Sequence, residues 1–306
     1  MDAKIVILNS TNPYTNIARE YSYYKNLSKD ELVFLLWQNK PCVVMGRNQN
    51  IYSELDLEFI KDNKIDPVRR FTGGGCVYHD LGNLNFTFIS SQKNKDLDTW
   101  MKIILYALRK EGIDAQIKGR NDLLSKGKKF SGMAWLEDED KYMIHGTLML
   151  DLDLSVLSQC LTPDISKFVG KGIKSVKSRV VNLKDLNPFI TVQSLKDSLV
   201  KSFKDIYQNA KILEHITSDD EIQTYKNLTS KEWIFGKNEK AQIQKKFIIN
   251  DKPLLFDIFI DNDIINKVNI YSDSLDLKKI DDVKTLLKKR KYNDLNFEEV
   301  IKSIWD

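Results

Sequence analysis

The stretch from Arg69 to Asp80 reads RRFTGGGCVYHD and says more about the fold of this 306-residue chain than any other. Three consecutive glycines stand between a basic pair and a strand-like run. Glycine loses much conformational entropy on folding, so it is retained where the backbone takes positive φ or a ligand approaches closely. The N–H groups of such a loop can hold an anion, and arginines can add charge-assisted hydrogen bonds. The stretch predicts an anion-binding loop, with a tight hairpin turn as the alternative.

Regular elements are predicted upstream and just downstream of this loop. The run Ile5–Leu8 predicts a first strand, and Asn12-Pro13 has the pattern of an N-cap followed by Pro at the first helical position. The apolar runs Leu32–Trp37 and Cys42–Met45 predict a buried hairpin. Leu84–Phe88 alternates apolar and polar residues, which predicts a half-buried strand.

Longer periodic segments follow. An apolar stripe at helical spacing predicts an amphipathic helix that Gly112 ends; it consists of Leu97, Trp100, Met101, Ile104, Leu105 and Leu108. Met143–Leu150 predicts another strand, and Leu195–Ile206 predicts a second long helix.

The pattern of apolar and polar residues changes near residue 236, where the polar run GKNEK predicts a connection between two domains. Three strand-like runs follow it, and then two helical stripes, the second preceded by Asn296 and Glu299 as a capping box. We predict a small α+β domain over residues 241–306 behind a larger domain over residues 1–240. Strands grouped and mixed with helices favour an α+β fold over strict βαβ alternation.

Composition excludes several classes of protein. No apolar run reaches the length of a membrane-spanning helix. The three cysteines are isolated and odd in number, which argues against a disulfide framework or a zinc site and favours a reducing cytoplasm. A net charge of +4 is too small to indicate nucleic-acid binding, but it suits an acidic protein partner.

Three further short motifs carry groups suited to chemistry. In GRNDL, Asn121 and Asp122 can hold Mg²⁺ or a ribose through oxygen atoms. In KKFSGMA, a lysine before Ser-Gly can lie beside a backbone-lined pocket; a solvated turn with two surface lysines is the alternative for both motifs. In HGTLML, His145 enters an apolar strand that can line an acyl pocket, and a structural, hydrogen-bonded histidine is the alternative.

Taken together and in this order, these segments resemble the lipoate–protein ligase family. The family pattern RRxSGGGAVYHDxGNxNF is matched from Arg69 to Phe86, and GRNDL, KxSGxA and HGTLL are matched from Gly119 to Leu148. Further agreement lies at Trp37 and at residues 46–50, 171–176 and 178–183. The match covers about residues 1–240, and the tail is similar to the family's small C-terminal domain.

The resemblance implies a fold and a reaction. The fold is the mixed-sheet α+β catalytic domain shared by biotin and lipoate ligases, with an accessory domain. The reaction converts lipoate and MgATP to lipoyl-AMP and pyrophosphate. A lysine of the acceptor, either a lipoyl domain of a 2-oxoacid dehydrogenase E2 subunit or the glycine-cleavage H protein, then takes the lipoyl group. Neither nucleic acid nor a membrane is an expected partner.

The resemblance also implies roles for single residues. Lys129 matches the catalytic lysine, with Lys128 as a less favoured register. Acyl-adenylate binding falls to Arg70 and the loop Thr72, Gly73, Gly74 and Gly75. Val77, Tyr78 and Asn83 are expected to meet the adenine, and Asn121 and Asp122 to face Mg²⁺ or phosphate. The residues expected to border the lipoyl slot are Trp37, Val77 and His145.

Two departures and three rival functions remain. Thr72 replaces a serine, and Cys76 replaces an alanine in the ligand loop, which we interpret as a small-residue exchange rather than a reactive thiol. An octanoyl or lipoyl transferase of the same superfamily would use a cysteine nucleophile, but no cysteine lies between Cys76 and Cys160. A biotin ligase is disfavoured because the basic biotin-loop pattern is missing. A non-catalytic lipoate-binding protein stays open.

Overall fold

The computed structural model describes residues 1–119, 121–161, 180–235, 243–249, 252–261, 264–292 and 294–305. The motif at 171–176, the pair Ser178-Arg179, Arg120 and the connection at 236–240 therefore lie outside the described residues. The helices are α1 Pro13–Lys25, α2 Ile51–Glu54, α3 Leu57–Asp62, α4 Leu97–Lys110, α5 Leu154–Cys160, α6 Val192–Ile206, α7 Asp219–Leu228, α8 Lys231–Phe235, α9 Leu277–Leu287 and α10 Phe297–Trp305.

Most strands of the first 235 residues form one mixed sheet of eight strands in the order β11-β1-β2-β6-β10-β9-β8-β7. Strand β2 is parallel to β1 and antiparallel to β6, and the remaining neighbours from β6 to β7 are antiparallel. Its strands are β1 Asp2–Ile7, β2 Glu31–Trp37, β6 Asn83–Ser91, β7 Gln116–Lys118, β8 Asp122–Ser125, β9 Lys128–Glu137, β10 Lys141–Met149 and β11 Lys211–Leu213.

Helices cover both faces of this sheet. Alternate residues of β2 therefore pack into two different apolar cores. Leu32, Phe34 and Leu36 pack with α4 and α6, where Phe34 stacks on Phe88 and Phe203. Val33, Leu35 and Trp37 pack with α1 on the other face. A two-sided apolar strand such as β2 is typical of a sheet buried between layers.

A second, smaller sheet lies on the α1 side and carries the glycine loop. Its order is β4-β3-β5, with strands β3 Cys42–Met45, β4 Asp66–Arg69 and β5 Cys76–His79. The loop spans residues 70–75 and joins β4, which is parallel to β3, to β5, which is antiparallel to it. The loop thus sits at one end of this sheet, and β3 fixes both of its ends.

The C-terminal strands form a third sheet with a core of its own. Strands β12 Ile243–Ile249, β13 Lys252–Asp261 and β14 Ile264–Ser272 are antiparallel, and α9 and α10 pack on them. Phe256, Ile258 and Ile280 are fully buried there. This three-stranded α+β unit agrees with the grouping of elements predicted for the tail.

Two expectations about local structure are wrong. Leu32–Trp37 and Cys42–Met45 do not form a hairpin, because β1 and β6 occupy both edges of β2 while β3 pairs with β4 and β5. The strand at 84–88 is buried on both faces rather than one. Asn85 and Thr87, its polar positions, are 2% and 0% exposed because the α1 layer covers them.

Other local predictions are confirmed. Asn12 caps α1 by accepting hydrogen bonds from the N–H groups of Tyr14 and Thr15, and α4 is followed by Gly112 at φ +71°. The Asn296 side chain accepts from Glu299 N at the start of α10. Among the described residues, no helix is long and apolar enough to cross a bilayer.

Candidate active site

The glycine loop is packed so closely that two of its contacts admit only glycine. A Cβ on Gly46 would lie 2.0 Å from the carbonyl oxygen of Gly74, so a side chain there would push the loop away. Gly74 itself has φ +90°, and a Cβ on it would lie 2.9 Å from Nη2 of Arg70. The segment is a closely packed loop between β4 and β5, which both pair with β3, rather than the tight hairpin turn that the sequence left open.

Arg70 supports the loop from inside. Its guanidinium donates to the carbonyl oxygens of Gly73 and Gly75 at 2.6 and 3.0 Å, to Val44 O at 2.9 Å and to Thr72 Oγ1 at 2.8 Å. The side chain is buried, and this burial lowers the pKa of Arg70 to about 10. Arg70 therefore holds the carbonyl oxygens of Gly73 and Gly75 against its guanidinium.

A buried hydrogen-bond chain leads from the loop to α1. The Thr72 hydroxyl lies 3.0 Å from His145 Nε2, and His145 Nδ1 lies 2.9 Å from Oε1 of Glu20. Because Arg70 Nε already donates to Thr72 Oγ1, the hydroxyl proton can go to His145 Nε2, which places the histidine proton on Nδ1. The network thus fixes the orientation of His145.

A second branch of the chain reaches Trp37. The Thr87 hydroxyl donates to Glu20 at 2.6 Å and accepts from the Trp37 indole N–H at 3.0 Å. Glu20 was not expected from the sequence. Its position on α1, three residues after Ile17 and four before Tyr24 on the buried face, was the available signal, since a carboxylate there needs partners.

A narrow cavity of about 30 Å³ lies between the two sheets beside this chain. Trp37, Val77 and His145, all predicted for the lipoyl slot, line it together. Gly146 and Thr147 of β10, which follow His145 in the His-Gly-Thr motif, line it as well. The other residues that line it are Ile17, Val44, Arg70, His79 and Asn85.

Lys129 and Asp122 form an ion pair on neighbouring strands. Lys129 Nζ lies 2.7 Å from Asp122 Oδ1, with 39% and 34% of the two side chains exposed. Gly132 makes room for the ammonium, because a Cβ there would lie 3.1 Å from Nζ. Gly132 N donates to Thr147 Oγ1 at 3.2 Å, and Thr147 lines the cavity. Gly132 therefore connects Lys129 to the lining of the cavity. Lys128 is exposed, whereas Lys129 is the lysine paired with Asp122.

Asn121 stands beside this pair. Its Nδ2 donates to Met133 O at 3.1 Å, and this bond does not use its side-chain oxygen. Among the described residues no group of three acidic, histidine or cysteine side chains could hold a metal alone. One carboxylate and one amide oxygen fit Mg²⁺ that arrives with nucleotide phosphates and keeps water ligands.

The residues predicted to meet adenine lie on or beside β5. Val77 is half-buried and pairs with Val44, whereas Tyr78 is buried and pairs with Val43. Asn83 is fully buried; its Nδ2 donates to Asn85 Oδ1, and within the described part of the chain its Oδ1 has no partner. Cys76 is half-buried near the Gln49 side chain.

The C-terminal unit touches the glycine loop. Gly74 N donates to Ser274 O at 3.0 Å, and a Cβ on Gly73 would lie 2.5 Å from the same oxygen. The Gln49 side chain donates to Ser272 O at 2.6 Å. In this conformation the segment 272–275 therefore occupies one N–H group of the loop.

Known proteins share this fold and these motifs. Residues 12–204 match the Lipoyl protein ligase A/B catalytic domain, which is the class that the fold and site define. Lipoate-protein ligase A of Bdellovibrio bacteriovorus is 35% identical over 98% of this chain and 92% of its own. The chain therefore belongs to the lipoate–protein ligase family and is an enzyme of that class.

Solved structures agree with this assignment. The crystal structure of Plasmodium falciparum LipL1 in complex with lipoate superposes with a TM-score of 0.86 at 29% identity and covers 99% of both chains. The bipartite lipoate protein ligase of Thermoplasma acidophilum, described together with its E2 lipoyl domain, superposes with a TM-score of 0.67 at 26% identity. That match covers 79% of this chain and 100% of the Thermoplasma chain.

Proposed function

We propose that this enzyme joins lipoate to AMP at the site around Lys129 and then passes the lipoyl group to a lysine of an acceptor protein. The observation that carries the proposal is the Lys129–Asp122 ion pair, which lies against Gly132 at the wall of the buried cavity. Family membership supports the substrates, because relatives spanning nearly the whole chain are lipoate ligases.

Lys129 has to offset the repulsion between two anions. A carboxylate is a poor electrophile, so the carboxylate oxygen of lipoate attacks the α-phosphorus of ATP and pyrophosphate leaves. An ammonium that bonds both the carboxylate and the α-phosphate stabilises the charge that builds on them, and one such donor contributes about 10²–10³ in rate. Asp122 holds that ammonium in position until the substrates arrive.

Mg²⁺ bound with ATP would shield the phosphate charge, with Asn121 and Asp122 as the protein oxygens that face it. The chain's own residues do the positioning. Loop N–H groups from Gly73 to Gly75 hold the adenylate phosphate while Arg70 keeps the loop carbonyls turned inward. The adenine lies against Val77, Tyr78 and Asn83. Among the described residues the Oδ1 atom of Asn83 has no partner, so it is suited to accept a hydrogen bond from the adenine amino group.

The lipoyl chain enters the cavity bordered by Trp37, Val77 and His145. A cavity of about 30 Å³ holds roughly one water molecule, so side chains must move apart as the acyl chain enters. The Glu20–His145–Thr72 chain connects that movement to the glycine loop. Filling the slot and ordering the adenylate loop are therefore linked events.

In the second step the acceptor's lysine amine attacks the carbonyl carbon of lipoyl-AMP, an amide bond forms, and AMP leaves. We propose lipoyl domains of 2-oxoacid dehydrogenase E2 subunits and the glycine-cleavage H protein as acceptors. The Thermoplasma relative, which is described with its E2 lipoyl domain, supports the first of these. A net charge of +4 suits an acidic acceptor. We propose a cytoplasmic location, which the three isolated cysteines support.

We also propose that the catalytic domain spans residues 1–240 and the accessory domain residues 241–306. The separate apolar core of the C-terminal unit supports this division. Its contact with Gly74 means that the accessory domain has to leave the loop before the adenylate can use that N–H group.

Mass spectrometry of an acceptor domain tests the function. The domain is incubated with the protein, lipoate and MgATP, and a mass increase of one lipoyl group on one lysine is expected. An arm with lipoyl-AMP in place of lipoate and ATP should give the same product. A transferase would move an octanoyl group from an acyl carrier protein to the domain without ATP. A binding protein would leave the domain unmodified. Either result refutes the proposal.

A further inference from the structure

The Arg69 guanidinium donates five hydrogen bonds within the described residues, all of them to backbone carbonyl oxygens. Nη1 donates to Gly46, Arg47 and Gln49 at 3.2, 3.0 and 2.7 Å. Nε donates to Trp233 O at 2.9 Å, and Nη2 donates to Ile234 O at 2.7 Å. Burial lowers the pKa of Arg69, and within the part of the chain that the structure describes no carboxylate forms an ion pair with its side chain. Such a costly buried cation joins α8 to the segment 46–49 rather than binding an anion.

Trp233 returns the contact. Its indole N–H donates to Arg69 O at 2.9 Å, so Arg69 and Trp233 hold each other by two reciprocal hydrogen bonds. Its ring centroid lies 5.0 Å from that of Phe71, and Phe71 stacks on Tyr21 at 3.8 Å with an interplanar angle of 17°. The residues before and after Arg70 are thus both pinned, and Arg70 is the one that shapes the glycine loop.

The segment 46–49 lies between the glycine loop and the C-terminal unit. On one side, Gly46 N donates to Gly75 O at 3.1 Å and Arg47 N to Thr72 O at 2.9 Å. On the other side, Asn48 O accepts from Ser272 N at 3.0 Å. Arg69 binds three carbonyls of this segment and two of α8, the last described helix before residue 243.

We propose that Arg69 and Trp233 are positioning residues for the adenylation step. They hold the glycine loop in the geometry that binds the acyl-adenylate, and they tie it to the helix that leads toward the C-terminal unit. Neither side chain touches a reacting group; both act through Phe71, Arg70 and the segment 46–49. This inference rests on the proposed function, because it assumes that the loop binds lipoyl-AMP.

Trp233→Phe tests the pair with the smallest change. It keeps a ring against Phe71 and removes only the N–H bond to Arg69 O. One neutral hydrogen bond accounts for about a 2- to 10-fold change in an equilibrium constant. We expect KM for ATP and Kd for lipoyl-AMP to rise about 2- to 10-fold, with the transfer rate from saturating lipoyl-AMP unchanged. Phe71→Leu, which keeps both reciprocal bonds and removes the stack, is a second variant with the same expected split.

Trp100→Phe is the matched control. Trp100, on the buried face of α4, stacks on Phe88, so the same chemical change there should lower thermal stability and leave KM for ATP unaltered. If Trp233→Phe and Phe71→Leu lower only the melting temperature, as Trp100→Phe does, the positioning role is refuted. If the wild-type enzyme forms no lipoyl-AMP at all, the proposed function fails first and the positioning role falls with it.

Discussion

The ammonium nitrogen of Lys129 lies 2.7 Å from Oδ1 of Asp122, across the antiparallel pairing of β8 and β9. The two side chains are about one-third exposed, so substrates can reach both. In the proposed reaction, a carboxylate and a metal-bound phosphate would meet at this pair. Ligand binding can then exchange partners, with Lys129 turning to the substrate anions and Asp122 to the metal.

Asp122→Asn should therefore change the Mg²⁺ dependence of adenylation. The variant keeps an oxygen at the site and loses its negative charge, which weakens Mg²⁺ binding. We expect the Mg²⁺ concentration for half-maximal pyrophosphate release to rise about 10-fold, by loss of roughly 1.4 kcal/mol. Asp151→Asn, which alters an exposed carboxylate paired with Lys184, is the control and should leave the titration unchanged. Superimposable Mg²⁺ curves for Asp122→Asn and wild type would contradict this role.

The glycine loop can be tested with two alanines at positive φ. Gly74 has φ +90° and Gly112 has φ +71°, so each substitution introduces backbone strain of about 1–2 kcal/mol. A Cβ on Gly112 meets nothing within 4 Å, whereas one on Gly74 lies 2.9 Å from Arg70 Nη2. Both variants should unfold at a lower temperature, but only Gly74→Ala should raise KM for ATP. Equal kinetics in the two variants would remove the loop from the binding site.

Truncation after residue 240 tests the proposed domain division. The C-terminal unit has its own core, so the remaining chain should unfold at nearly the same temperature as the full-length protein. Removal of Ser274 also frees Gly74 N, and one half-reaction should change more than the other. Differential scanning calorimetry and separate assays of adenylation and transfer measure these effects. A large fall in the melting temperature of the truncated chain would show that residues 1–240 are not an independent domain.

His79 gives the fold a pH dependence. Burial chiefly, together with the nearby positive charge of Arg70, lowers the pKa of His79 to about 3. The unfolded chain titrates near 6.5, so between that pH and about 3 the unfolded state binds a proton that the folded state rejects. The free energy of unfolding should thus fall as the pH is lowered through this window, by at most about 1.4 kcal/mol per pH unit from this group.

Urea denaturation of wild type and His79→Phe between pH 6.5 and 5 measures this effect. Phenylalanine fills the site without titrating, so the variant should show a shallower loss of stability with acidity. His215→Phe, at a histidine outside the buried cavity, controls for the loss of a ring nitrogen elsewhere. Parallel slopes for wild type and His79→Phe would show that His79 is not held neutral by the fold.

Much of the site could be predicted because its chemistry is local in sequence. Glycine at Gly74 reports positive φ directly, and the register KxSG selects Lys129, which the structure places beside Asp122 while Lys128 is exposed. Glu20 was missed because its partners, Thr87 and His145, are far away in the chain. A single carboxylate in a helix says nothing of them until the layers are packed.

The errors in the fold have the same origin. Two adjacent apolar runs favour a hairpin, but strand pairing is decided by which edges are available, and both edges of β2 are occupied by β1 and β6. In this conformation the guanidiniums of Arg69 and Arg70 donate to backbone carbonyls, a geometry that the basic pair in the sequence does not indicate. The assignment of Arg70 to the acyl-adenylate stays a prediction. A basic pair indicates charge, but its direction depends on tertiary contacts.

The central claim is that the Lys129 ammonium joins the carboxylate of lipoate to the α-phosphate of ATP. Lipoate-dependent pyrophosphate release by Lys129→Ala and Lys128→Ala, compared with wild type at matched folded fractions, tests it most directly. We expect the rate of pyrophosphate release to fall about 10²–10³-fold in Lys129→Ala and to stay near normal in Lys128→Ala. Near-normal release by Lys129→Ala would contradict it.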